Sequence, residues 1–151
     1  MRLAALFTIA VLLGGCSRPA PVSTLPTEKI TIDTANGPVR VTVEIAADPA
    51  SQERGLMFRT AMALDAGMLF DLHQPQIARF WMKNTILPLD MLFVRADGTI
   101  ASIADNTEPY SLDVISSDEP VLAVIELNAG RAYYMGIEPG DRVHASIFRP
   151  S

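Results

Sequence analysis

Apolar and polar positions alternate with a period of two along much of this chain, and turn residues cut the alternation into short segments. Ile30 and Ile32 alternate with polar neighbours between Lys29 and Thr34, and Val39, Val41, Val43 and Ile45 do the same up to Ala46. Asn36-Gly37 lies between the two runs as a tight-turn signal, so they are expected to pair as a β-hairpin. Asp48-Pro49 reads as an N-cap followed by proline at the first helical position, and Gly55 closes the short helix that follows. A brief buried strand is expected at 67–70, a loop at 72–76 around His73 and Pro75, and strands at 77–82 and 89–94. Asp97-Gly98 predicts a second hairpin into a strand at 100–104. Residues 105–120 are polar and read as a long loop.

Val121 to Leu127 is apolar except for Glu126, the pattern of a strand buried on both faces. Asn128 is expected to cap a second short helix that ends at Gly136 and buries Tyr133 or Tyr134, and 143–148 alternates as a final strand. Eight or so short strands with two short helices make the fold mainly β, either a jelly-roll-like sandwich or a partly open barrel. The run FWMKNTILPLDMLFV, residues 80–94, is the densest segment, a strand, a turn and a strand. Trp81, Met82, Leu89, Met91 and Phe93 are expected in the core, which leaves Lys83, Asn84, Thr85 and Asp90 to meet something outside it.

Composition adds the compartment. Of 151 residues 49% are apolar and 19% charged, enough for one globular core, assigned to residues 28–151. Arg2 and the apolar run Leu3 to Leu13, closed by Leu13-Gly14-Gly15-Cys16, read as an export signal over residues 1–15 and are too short to span a bilayer. The LGGC ending resembles a bacterial lipobox, in which Cys16 is lipidated and becomes the first residue of the mature chain. Cys16 is the single cysteine, so no intramolecular disulfide forms, and a lone exported thiol is explained by the anchor. Residues 16–27 hold Pro19, Pro21 and Pro26 and read as an extended tether. The expected address is the cell envelope, facing the periplasm. Ser17 after the cysteine resembles the sorting signal for the outer membrane of a diderm cell. A net charge of −5, without a run of Lys or Arg, excludes nucleic acid from the expected partners.

The strings ERGLMFR (Glu53 to Arg59), GMLF (Gly67 to Phe70), FWMKNT (Phe80 to Thr85) and PLDM (Pro88 to Met91) occur in that order. With Glu126, Gly130, Gly136 and Gly140-Asp141-Val143 they closely resemble the family called domain of unknown function 192. The resemblance covers nearly the whole mature domain. It implies a small, mostly β, often exported protein with a jelly-roll-like fold, and it brings no agreed activity.

Candidate chemistry is sparse. His73 and His144 stand far apart without a ligand partner at metal spacing, so no metal or other cofactor is expected. Met57, Met68, Met82 and Met91 lie in or beside the motifs but form no Met-rich repeat, and they read as core filler rather than a Cu(I) site. No nucleophile elbow is present. Arg54 and Arg59 are candidates to grip an anionic group, with Lys83, Asn84, Thr85 and Asp90 as further polar contacts and Trp81 or Tyr110 as a stacking surface. Such a set suits a small polar ligand, a glycan or an envelope protein. The alternative is an enzyme acting on envelope carbohydrate or peptide through Glu53, Asp90 and Glu126. The structural alternatives are a turn hydrogen-bonded by Asp90 and a salt bridge from Glu126 to a buried Arg.

Overall fold

The computed structural model describes residues 24–148. The signal segment 1–15, Cys16 and the tether up to residue 23 lie outside the described residues. The chain forms β1 (Thr27–Thr34), β2 (Gly37–Ala46), α1 (Pro49–Arg54), β3 (Ala66–Gln76), β4 (Arg79–Phe80), β5 (Leu89–Val94), β6 (Ile100–Ala104), β7 (Ile115–Ser116), β8 (Val121–Asn128), α2 (Arg131–Met135) and β9 (Arg142–His144). A single 3-10 turn, Ser146–Phe148, follows.

Seven strands build one sheet in the order β6-β5-β8-β3-β2-β1-β9, and β4 pairs with β7 in a separate ribbon. Every pairing is antiparallel except β2 with β3, which the α1 crossover joins in parallel. The sheet curls until its two ends meet. Thr99 bridges Arg142, Ile100 N–H donates to the Asp141 carbonyl, and Val143 N–H donates to the Gly98 carbonyl at 2.8 Å. Of the two expected forms, the chain thus adopts the partly closed barrel.

The curled sheet has an apolar cluster on each face. The inner one gathers Ile30, Ile32, Val41, Val43, Leu92, Ile125 and Val143. The outer one gathers Met68, Phe70, Met82, Leu89, Met91, Phe93 and Val124 under α1, the 76–88 segment and the β7 loop. The strands β5 and β8 serve both clusters, which is why they read as continuous apolar runs.

Several local expectations are corrected. The strand foreseen at 77–82 shrinks to Arg79–Phe80, and alternation there turns Phe80 and Met82 inward and Trp81 outward, so Trp81 is exposed rather than core. The loop foreseen at 72–76 belongs to β3. The ladder jumps from Asp71↔Ala123 to Gln76↔Val121, and the intervening residues bulge around His73 in the left-handed region. Asn128 ends β8 and donates to the Met62 and Ala63 carbonyls, while Gly130 takes the N-cap position of α2. With only five residues, α2 turns Ala132 inward and leaves Tyr133 and Tyr134 both exposed. The last strand stops at His144. The loop 105–120 contains β7, whose two residues carry too little pattern to be seen in sequence.

Gly98 carries the closure. Its φ is +85°, and an added Cβ would stand 2.7 Å from the Val143 carbonyl oxygen. Gly98→Ala is expected to cost about 1–3 kcal/mol through backbone strain and loss of the β6–β9 contact. Urea unfolding measures the loss, and faster exchange of the Val143 amide locates it at the seam.

Candidate functional site

The α1 helix is set by its sequence. The Asp48 carboxylate accepts from Ala50 and Ser51 N–H, both at 3.0 Å, and Asp48 N–H donates to Ser51 Oγ in return. Gly55 ends the helix directly over Phe70, whose ring an added Cβ would approach to 3.3 Å. Phe70 meets Phe80 edge to face at 4.9 Å between ring centroids, which ties the β4 segment to the sheet. Between these pieces lies a cleft of about 500 Å³, within the range of small-molecule sites. Its walls come from α1 and its exit (Glu53, Arg54, Leu56, Met57), from β3 (Phe70, Leu72) and from the β4 segment (Ile77, Arg79, Phe80, Trp81), with Thr85 and Glu126 completing the lining.

Glu126 defines the chemistry. It stands on β8 between Met68 of β3 and Met91 of β5, on the outer face of the sheet, and is 4% exposed. No hydrogen bond or ion pair reaches its carboxyl among the described residues, so the salt bridge to a buried Arg is not formed. Burial alone pushes its pKa up to about 8. At neutral pH the cleft therefore holds a protonated carboxyl, able both to donate and to accept one hydrogen bond.

The residues proposed from sequence part company here. Arg54 and Thr85 line the cleft, and Thr85 is buried with its hydroxyl donating to the Lys83 carbonyl at 3.2 Å. Lys83 lies over the Trp81 ring at 5.0 Å and so stands beside the cleft mouth. Asn84 adopts φ +56°, its carbonyl accepts from Phe58 N–H at 2.9 Å, and its amide contacts the Met57 sulfur. Arg59 is held elsewhere by a bidentate pair to Glu44 at 2.5 and 2.6 Å, and its guanidinium is drawn further toward the charged form by that bond.

Asp90 is fully buried on the opposite face from Glu126. It accepts from Asn106 and Gly130 N–H through one oxygen and from Ala132 N–H through the other, at 2.9, 3.1 and 2.9 Å. Its geometry is that of a brace for the 106 turn and the start of α2. Of the three carboxylates considered for catalysis, Glu53 and Glu126 share the cleft and Asp90 does not. His73 contacts the Ala47 carbonyl and Asp71, and His144 pairs with Asp33. Among the described residues no three His, Cys, Asp or Glu side chains gather as a metal site, and no helix is long and apolar enough to cross a membrane.

Sequence reasoning left Phe70, Phe80 and Ile77 out of the site, since apolar walls look the same as core, and Arg79, whose place at the cleft is set by the β4 pairing and marked by no motif. Glu126 did leave a signal, as the one charge in an apolar run buried on both faces.

Two predictions follow from these carboxyls. Asp90→Ala strands three buried N–H donors and is expected to lower stability by about 3 kcal/mol or more, measured by urea unfolding. For Glu126 the folded form keeps its proton up to about pH 8, whereas the unfolded chain releases it near 4.5. Between those values the native state binds the extra proton. Its contribution is thus fully present below pH 4.5 and falls by about 1.4 kcal/mol per unit as pH rises toward 8. Unfolding of the protein and of Glu126→Gln across pH 5–8 is expected to show this slope in the first and not in the second.

The family model described as DUF192, an uncharacterized ACR, matches residues 30–145. Among solved structures the chain is similar to a Sinorhizobium meliloti protein described as a candidate transcription regulator. The two share 46% identity and a TM-score of 0.81, over 84% of this chain and 99% of that one. It is also similar to a protein of unknown function from Novosphingobium aromaticivorans, at 40% identity and a TM-score of 0.80, over 85% and 94% of the two chains. No curated protein matches the chain.

Proposed function

The chain belongs to the domain of unknown function 192 family, and within it we propose a binding module whose Glu126 cleft takes a small, mainly apolar molecule by one inward polar group. The observation that carries this is the Glu126 carboxyl, buried and without a protein partner among the described residues, in a cleft where Leu56, Met57, Phe70, Ile77 and Phe80 form an apolar wall and Gln52, Glu53, Arg54, Gln76, Arg79 and Thr85 the polar remainder. Its oxygens open on the cleft, so a ligand group that both donates and accepts would take the place water can hold there. A group that carries both an acceptor and a donor satisfies the carboxyl, and a primary amide does so with two parallel hydrogen bonds. Arg54 and Arg79, exposed beside the mouth, suit an anionic or carbonyl-rich outer end.

The module is proposed to work in the cell envelope, held by lipid on Cys16 through the proline-bearing tether. The lipobox and the tether support that address, and mass spectrometry of the mature N-terminus checks it, an unmodified Cys16 refuting it. A net charge of −5 without a Lys or Arg run speaks against nucleic acid as a partner of this chain, whatever the role of the Sinorhizobium protein.

A second reading has its own support. Glu53 and Glu126 border one cleft, and the raised pKa of Glu126 suits a general acid acting on envelope carbohydrate or peptide. In that case Glu126→Gln abolishes turnover, whereas a binding site tolerates it, since the Gln amide also donates and accepts.

Trp81 is the only tryptophan and lines the cleft, so its emission reports occupancy. Benzamide is the probe, with toluene as its apolar control. Benzamide is expected to change Trp81 emission saturably in the native protein and in Glu126→Gln. In Glu126→Leu its affinity should fall about tenfold. Equal affinity of benzamide for native protein and Glu126→Leu would falsify the binding role.

A further inference from the structure

Beside the cleft the surface is unusual for a soluble protein. Phe58, Trp81, Ile86, Tyr110, Leu112 and Val114 are all exposed, at 66% for Phe58, 47% for Trp81 and 67% for Leu112. They come from three chain segments bound into one ridge. Phe58 N–H donates to the Asn84 carbonyl, Tyr110 N–H to the Thr85 carbonyl and Met82 N–H to the Ser111 carbonyl, while Phe80 pairs with Ile115. Patches of this kind mark contact surfaces.

The backbone gives a second, independent sign. Phe58, Asn84 and Tyr110 have φ of +64°, +56° and +62°. Left-handed backbone is ordinary for asparagine and costly for an aromatic residue, at about 1 kcal/mol or more each. Glycine at either position would relieve that cost. Holding two exposed aromatic side chains on such backbone is what a contact role explains and burial does not.

We infer that this ridge lies on a lipid surface, with the cleft mouth opening at the membrane interface. The inference rests on the proposed Cys16 anchor. Three observations favour lipid as the occupant. The described chain begins at Thr24, and Leu25 packs against the outer apolar cluster, the same cluster that underlies the ridge. Seven residues lie between Cys16 and Thr24, a reach of at most about 30 Å when fully extended, so a lipid on Cys16 holds Thr24 and the Leu25 contact within that distance of the bilayer. The ridge itself joins Trp, Tyr and Phe to aliphatic residues, with Lys83 beside Trp81, the composition of a membrane–water interface. Arg79 and Lys83 are balanced by the exposed Glu108 and Asp113, so contact needs no anionic lipid. Seated this way, the ridge brings a membrane-borne molecule to the cleft without its crossing water.

The test uses the lipidated full-length product on phosphatidylcholine vesicles, with brominated phosphatidylcholine as the quencher. Trp81 emission is expected to shift to the blue and to fall about two-fold on brominated vesicles. The double change Phe58→Ser with Leu112→Ser should remove most of that quenching, with circular dichroism unchanged. Flotation separately reports the anchor. Protein that floats while Trp81 answers to acrylamide but not to bromine overturns the ridge and leaves the anchor standing. Protein that fails to float refutes the anchor, and bromine quenching on added vesicles still decides the ridge. Quenching that survives the double change overturns it, as does a ridge found to be covered by a protein partner in envelope extracts.

Discussion

Strand β8 is hydrogen-bonded to β3 on one side and β5 on the other, and apolar clusters cover both of its faces. A charged side chain in its middle has no route to bulk water except through a gap in one cover. Glu126 has that gap, because α1 and the β4 segment meet over Phe70 without closing above the carboxyl. The same burial that holds the barrel together therefore makes the cleft and sets its chemistry. Desolvation keeps the group neutral, so the site presents a hydrogen-bonding acid in an apolar wall and not a fixed negative charge.

Asp90 shows the contrast. It lies one strand away, pairs in register with Leu127 and faces the other side of the sheet. There three backbone N–H groups meet its two oxygens, and the carboxylate joins the 106 turn, β5 and α2 in one joint. Two buried carboxyls in adjacent strands thus differ by the presence of donors. A carboxyl that satisfies turns is structural glue, whereas one that meets no protein donor sets the chemistry of the cleft it faces.

Much of the frame was legible because it rests on local rules. The hairpin at Asn36-Gly37, the Asp48-Pro49 helix start, the Asp97-Gly98 turn and the doubly buried 121–127 strand each follow from residue type and spacing. What was hidden depends on tertiary contact. Alternation through Phe80, Trp81 and Met82 points Trp81 outward only once Phe80 and Met82 are known to face the sheet. His73 takes a left-handed bulge that the ladder to β8 imposes. For the site, Arg54 and Thr85 line the cleft, whereas Arg59 spends its fork on Glu44, an acid of β2 with no local sequence relation to it. The apolar walls were invisible in principle, since a residue lining a cleft and one filling a core share the same pattern.

The cleft and the ridge depart from ordinary folding preferences in different ways, and they adjoin. One leaves a buried carboxyl unpaired, and the other holds two aromatic residues in backbone that glycine would occupy more easily. Either departure alone has a structural explanation, such as a tight connection that forces φ or a polar residue left by drift. Trp81 belongs to both, lining the cleft and standing partly exposed beside Lys83. Departures from local consistency gather where a protein meets something else. Here they gather within the segments that carry Phe58, Trp81 and Tyr110 and above a single carboxyl. The most economical account is one contact region with a deep polar end and a broad apolar lip.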